Sequence, residues 1–423
     1  MRAGTAMGIL TLLAGSACAH RGSSPSSASP SARPGVATYD GIVTIDPVRG
    51  TLRARWRIAL APTALVGDSA TFLLNDGLVV ARVAGPSVAG FERTVKPDLQ
   101  RIVVRFQTHA RTRASNEVEI EYAGTPSFGT DSINGLRHDW VELGLDSFWQ
   151  PIIEGYAESI VARARIVLPS GWAMAASGRV TRAGDTLVLS NDVPLIDVAF
   201  SAAPVLRRMS EGDVSVHYVD SADALVPKVQ RSAKSCARYL GAHYGAASPL
   251  PPVDIVVAPR GGPGYARKNY IVITRVADTA TIALQRFVCH ELAHYWSTGA
   301  VASGPENWIN EAFAEFVSAR YVREVSGDSA YRAIVASWRE RSTNSPPIWT
   351  PGATARPGPR VSYAKAPLLL HQLEERMGSA MMDRILVRYM GDPTLRTTER
   401  LAVMIGEVAG AETERWLRAQ LAA

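Results

Sequence analysis

Ala283-Leu284-Gln285-Arg286-Phe287-Val288-Cys289-His290-Glu291-Leu292-Ala293-His294-Tyr295-Trp296 reads as a helix that a core would bury. Leu284, Phe287, Val288, Leu292 and Tyr295 supply its apolar positions. His290 and His294 stand four residues apart, so they share one face of the helix. Two imidazoles so placed can grip one Zn²⁺ at about 2.0–2.1 Å, and the glutamate beside the first points at a water on the metal. Two histidines and a carboxylate on a buried helix need a reason, because unpartnered buried polar groups cost several kcal/mol, roughly 2–7.

The third ligand is sought downstream. Trp308-Ile309-Asn310-Glu311-Ala312-Phe313-Ala314-Glu315-Phe316 is again helical and apolar, yet it places Glu311 and Glu315 one turn apart on one face. Glu311 is the expected third metal ligand. Glu315, with Asn310, is the expected outer partner that orients a ligand histidine. Cys289 lies beside the motif but on another helical face, so it is not expected to ligate.

Around these segments the chain reads as strands followed by helices. Val214 to Tyr218, Val253 to Val257 and Asn269 to Thr274 are strands, the last reached through the Gly-rich turn Gly261-Gly262-Pro263-Gly264. Helices are expected over 222–244, 283–296, 310–324, 362–377, 380–389 and 398–421, with a Pro, Gly and Thr-rich loop over 344–360. Upstream, residues 37–207 carry many short alternating runs, among them Gly41 to Ile45, Thr51 to Ala59, Ala70 to Leu74, Ile102 to Gln107 and Glu117 to Tyr122. That texture predicts an antiparallel β saddle or sandwich domain. His109 and His138 stand alone there and are read as structural. The expected division is a signal peptide over 1–19, a Ser/Pro-rich linker over 20–36, the β domain over 37–207 and an α+β catalytic domain over 208–423.

The chain has 423 residues, enough for two or three domains, with 47% hydrophobic and 20% charged residues. Its formal net charge is +6. The basic residues are scattered, with no run of five or six and no aromatic interleaving, which argues against a nucleic-acid partner. Arg2, the apolar Met7 to Ala14 and the small residues to Ala19 read as an export signal, too short for a lasting membrane span. Either Ala17-Cys18-Ala19 is a cleavage site, or Cys18 carries a lipid anchor, the only expected tie to a membrane. The predicted location is therefore periplasmic, outer-membrane or secreted. Cys236 and Cys289 fall in predicted helices and are expected to be two buried free thiols.

His290 to Trp296 followed by Trp308 to Phe316 resembles the zinc signature of the membrane-alanyl-aminopeptidase and leukotriene-hydrolase family, gluzincins with a thermolysin-like catalytic domain. Sixteen residues separate His294 from Glu311, a shorter connector than the family's usual one. Ser362-Tyr363-Ala364-Lys365-Ala366 resembles the family's Tyr-x-Lys-Gly segment, which implies that Tyr363 donates its phenol to the oxyanion of the tetrahedral intermediate. The family's Gly-x-Met-Glu-Asn segment, whose Glu holds the substrate amine, is matched only in part by Tyr265-Ala266-Arg267-Lys268-Asn269, which leads into Tyr270. The resemblance implies that Lys268, Asn269 and Tyr270 line the substrate, with Lys268 repelling a free ammonium. Phe148-Trp149-Gln150-Pro151 loosely resembles the family's aromatic-Pro segment, and the family's large C-terminal helical domain is expected to be absent. The expected activity is peptide hydrolysis with one Zn²⁺, Glu291 as general base and a peptide or protein substrate. A catalytically silent envelope module and a hydrolase of a non-peptide substrate are the rival expectations.

Overall fold

The computed structural model describes residues 35–107, 116–129, 133–156, 158–219, 225–246, 248–274 and 281–423. The signal, linker and Cys18 expectations, apart from the last two linker residues, lie outside these, as does His109. Two regions of different character follow one another along the chain, strand-rich first and helix-rich second.

The strand-rich region is built on a seven-stranded sheet. Its order is Arg179–Ala183, Thr186–Leu195, Glu158–Val167, Gly35–Asp46, Thr51–Ala59, Glu117–Gly124 and Leu78–Ala84. Every pairing is antiparallel except Gly35–Asp46 beside Glu158–Val167. In Thr51–Ala59 the residues alternate buried and exposed along most of the strand, so Leu52, Ala54, Trp56 and Ile58 enter the core while Arg53, Arg55 and Arg57 face water. Two four-stranded sheets complete the region. Trp56, Trp149 and Phe200 meet edge to face in its centre, with Trp56–Trp149 at 5.8 Å and Trp149–Phe200 at 5.5 Å. Strands Leu78–Ala84 and Val88–Lys96 are missing from the sequence reading. Val88–Lys96 is exposed or half-exposed at every position, so it carries no alternation to read.

The second region opens with a five-stranded sheet. Val214–Tyr218, Val253–Ala258 and Tyr270–Thr274 run parallel at its centre, with Arg207–Glu211 and Tyr265–Arg267 antiparallel at the two edges. The parallel strands are buried nearly throughout, as strands covered on both faces must be. Among the described residues seven α-helices accompany it, the first between two of its strands and the rest after it: α1 (Leu225–Tyr244), α2 (Thr281–Ala293), α3 (Asn307–Ser342), α4 (Ala366–Met377), α5 (Ser379–Gly391), α6 (Thr398–Ala409) and α7 (Ala411–Ala422). α3 runs far beyond the expected 310–324. It is broken at Gly327, whose φ of 85° and ψ of 171° only glycine adopts readily, so the chain doubles back and continues as helix to Ser342.

One expectation is corrected here. Cys236 of α1 and Cys289 of α2 form a disulfide, with Cα atoms 5.5 Å apart across a sequence separation of 53. Both residues face the seam between the two packed helices, and both are buried. The spacing of the two cysteines in sequence gave no hint of that seam.

The two regions meet on a shared apolar cluster that includes Trp140, Ala199 and Ala203 from one and Val256, Tyr265, Tyr270 and Val272 from the other. Two buried ion pairs flank it. Arg260 donates Nε and Nη2 to the two oxygens of Glu142 at 2.9 and 2.6 Å, and Arg267 donates the same pair of atoms to Asp197 at 2.6 and 2.9 Å. Both carboxylates are fully buried.

Candidate metal centre

α2 carries His290 in its last turn, and the hydrogen-bonded turns after Ala293 hold His294 beneath it. Those turns are pinned from outside. Arg396 donates Nη2 to the Trp296 carbonyl and Nε to the Thr298 carbonyl, both at 2.7 Å. The disulfide fixes the residue just before His290. α3 enters alongside α2 and brings Glu311 to the same point.

Three donor atoms converge. His290 Nε2 lies 3.2 Å from His294 Nε2, and Glu311 Oε2 lies 3.5 Å from each. A tetrahedral zinc with bonds of about 2.0–2.1 Å spaces its ligand atoms by about 3.3 Å, which is the size of this triangle. His290 and Glu311 are buried, and His294 is half-buried. The electrostatics ask for a cation at the same place. Burial alone would lower the His290 pKa, yet hydrogen bonds to Glu311 and Glu315 push it up to about 10. Burial would likewise raise the Glu311 carboxyl, and the two imidazoles instead hold it far below the ordinary carboxylate range. A divalent ion satisfies this donor set without a proton, so the residues fit zinc.

His290 Nδ1 bonds Glu315 Oε2 at 3.1 Å, and His294 Nδ1 lies 3.5 Å from Ser297 Oγ. A ring whose Nδ1 is engaged by a carboxylate offers Nε2 as the free lone pair. Glu315 itself is held down to about 2, with Arg286 and His290 outweighing the effect of burial. Glu291 is almost fully buried, and burial raises its pKa above the usual range, offset in part by the two histidines. Tyr363 stands in a π-helical turn, Val361–Lys365, a form common at functional sites. Its ring centroid is 5.9 Å from that of His290. Burial and then the nearby charge of Glu311 raise its phenol well above the ordinary value.

Four further expected residues have defined surroundings. The Asn310 amide exchanges hydrogen bonds with the backbone of Ala300, at 3.1 and 3.0 Å, and so closes the connector between α2 and α3. Lys268 and Asn269 form the tip of the hairpin whose register pairs Arg267 with Tyr270. Lys268 takes the left-handed turn conformation, φ 58°, and its ammonium sits 5.7 Å from the centre of the Tyr295 ring. Asn269 donates to the Pro252 carbonyl at 2.6 Å. Tyr270 points away into the seam, 2.9 Å from Ser201 Oγ. Arg267 of the edge strand lies in the same seam, paired with Asp197, and its charge is the smallest of the influences that offset the burial-raised pKa of Glu291. Gly264 lets the chain entering the edge strand pack against its neighbour and α2, since a Cβ there would sit 2.6 Å from the Val272 carbonyl oxygen and 2.8 Å from the Phe287 ring of α2. Sequence reasoning also missed Arg286 and Trp338. Arg286 was open to discovery, because it precedes His290 by one helical turn.

No family model matches the chain, and no curated protein matches it. Solved structures do. An M1 zinc metallopeptidase from Deinococcus radiodurans superposes with a TM-score of 0.70 at 18% identity, over 91% of this chain and 93% of that one. A glutamate-to-alanine variant of that enzyme, bound to a Tyr-Ser-Ala substrate, superposes with a TM-score of 0.67 at 18% identity, over 91% of this chain and 93% of that one. Leukotriene A4 hydrolase from Saccharomyces cerevisiae matches with a TM-score of 0.68 at 15% identity, over 89% of this chain and 66% of that one. The chain therefore has the fold of two-domain M1 metallopeptidases, an N-terminal β domain followed by an α+β domain.

Proposed function

We infer that the chain is a zinc-dependent peptidase of the gluzincin type, with the metal held by His290, His294 and Glu311. The observation that carries this is the triangle of donor atoms, with edges of 3.2, 3.5 and 3.5 Å, on two helices whose fold is that of zinc metallopeptidases. Zinc bound there would polarise the scissile carbonyl and lower the pKa of water to about 7. Glu291 takes the proton from the attacking water and passes it to the leaving amine, a task that suits a buried carboxylate with a raised pKa. Tyr363 donates its phenol to the oxyanion as charge develops. We place the division between the two domains at about residue 207.

The substrate is best read as a peptide paired along the edge strand Tyr265–Arg267. Arg267 of that strand is held in a buried ion pair with Asp197 and so is not offered to a substrate. Both oxygens of Asp197 are spent on Arg267, so this carboxylate does not serve an N-terminal ammonium. Internal or N-blocked peptides are therefore the expected substrates. The Cys236–Cys289 disulfide suits an oxidising compartment, in keeping with export. No helix among the described residues is long and apolar enough to cross a membrane.

The test is a mixed pool of free and N-blocked peptides, profiled for cleavage sites with and without a chelator. Cleavage should be lost with chelator and recover with zinc. Glu291→Gln should keep stoichiometric zinc and lose turnover by about 10²–10⁴-fold. Near-full activity in that variant removes Glu291 as the base, and chelator-resistant cleavage removes the metal.

A further inference from the structure

Glu315 is gripped from more than one element. Oε2 accepts from His290 Nδ1 at 3.1 Å. Oε1 accepts from the Arg286 guanidinium and, at 3.3 Å, from the indole N–H of Trp338. Arg286 in turn lies over the Trp338 ring, 5.6 Å from its centre. The groups come from three helical segments. Arg286 is one turn before His290 on α2, Glu315 is one turn after Glu311 on the first arm of α3, and Trp338 is on the second arm, beyond the Gly327 break. Trp338 is fully buried and Glu315 nearly so.

A buried carboxylate with a single partner can swing about its last torsion, and its charge stays uncompensated. Arg286 and Trp338 remove both freedoms: the guanidinium supplies the countercharge, and the two donors fix the plane of the carboxylate. The plane of Glu315 then fixes the His290 ring, and with it the direction of Nε2. Groups that orient a ligand histidine in this way are worth roughly 10–100-fold in metal affinity.

We propose that Arg286 is a positioning residue of the metal site, which with Trp338 locks Glu315 and through it His290, so that the donor triangle is assembled before a divalent cation arrives. The proposal rests on the metal reading above, and its test reads metal binding rather than turnover. The purified full chain is stripped of metal, and its zinc dissociation constant is measured by competition with a chromogenic chelator. Arg286→Met should weaken zinc binding by about 10–100-fold. Arg286→Lys, which keeps the charge, should lie nearer the wild type. Trp338→Phe, which removes the indole donor and keeps an aromatic ring, should weaken binding several-fold and carries the test if Arg286→Met does not fold. In a Glu315→Gln background, Arg286→Met should add less than about threefold, because residues acting through one group are not additive. Unchanged affinity in Arg286→Met overturns the proposal, and so does an equal loss in both backgrounds, since that is what a general structural role predicts. A wild-type chain that takes up no stoichiometric zinc overturns the metal reading itself, whereas tight zinc in the wild type with no effect of the variants overturns only this proposal.

Discussion

Tyr363 shows what a single residue contributes when a turn of helix is widened to present it. Its phenol is buried near His290 and beside Glu311. An oxyanion donor acts on charge that exists only in the transition state, so Tyr363→Phe should lower kcat by about 10²–10³-fold and leave KM nearly unchanged. Steady-state kinetics on an internally cleaved peptide checks this, and a change confined to KM would assign Tyr363 to ground-state binding. At this scale much of the site could be read from the sequence. His290, His294, Glu311 and Glu315 lie at helical spacings of four, a spacing that survives folding unaltered. What the sequence hid is that Lys268 and Asn269 form a hairpin tip, because a tip and a strand position look the same until the register is known.

Among the elements, α2 carries most of the burden, and it is the one most heavily tied. The disulfide joins it to α1, the Asn310–Ala300 exchange closes its connector to α3, and Arg396 holds the turns after its last residue. In the chain-entropy account, closing a loop of 53 residues stabilises the fold by about 4 kcal/mol. The double variant Cys236→Ser, Cys289→Ser should lose that amount in urea unfolding. A loss below about 1 kcal/mol would mean that packing alone holds the two helices. The free-thiol expectation failed because pairing depends on which faces of α1 and α2 meet, and that is a property of the packed helices together. The length of α3 was hidden for a related reason. Gly327 reads as a stop, yet the second arm packs back on the first and carries Trp338 to Glu315.

For the whole molecule the governing feature is the seam between the two regions. Glu142 and Asp197 are fully buried, and each has an arginine of the five-stranded sheet's region as its counterion. Removing one member of such a pair leaves a bare buried charge, at a cost of about 3–5 kcal/mol. Arg260→Met should therefore destabilise by that amount, measured by denaturant unfolding. The unaltered protein should melt in one calorimetric transition, since neither region can shed the other without exposing those charges. Two separated transitions would show that the seam does not couple them. The domain order was legible from the change of texture near residue 208, but the seam was not, because Val141-Glu142-Leu143 and Ile196-Asp197-Val198 look like ordinary strand segments with one polar residue facing water. The same seam limits how far the protein can be cut down. The helix-rich region produced alone would present two unmatched guanidinium groups around a sticky patch of Val256, Tyr265, Tyr270 and Val272. Shortened versions that lack the β region should therefore aggregate, so any recombinant form has to carry both regions together.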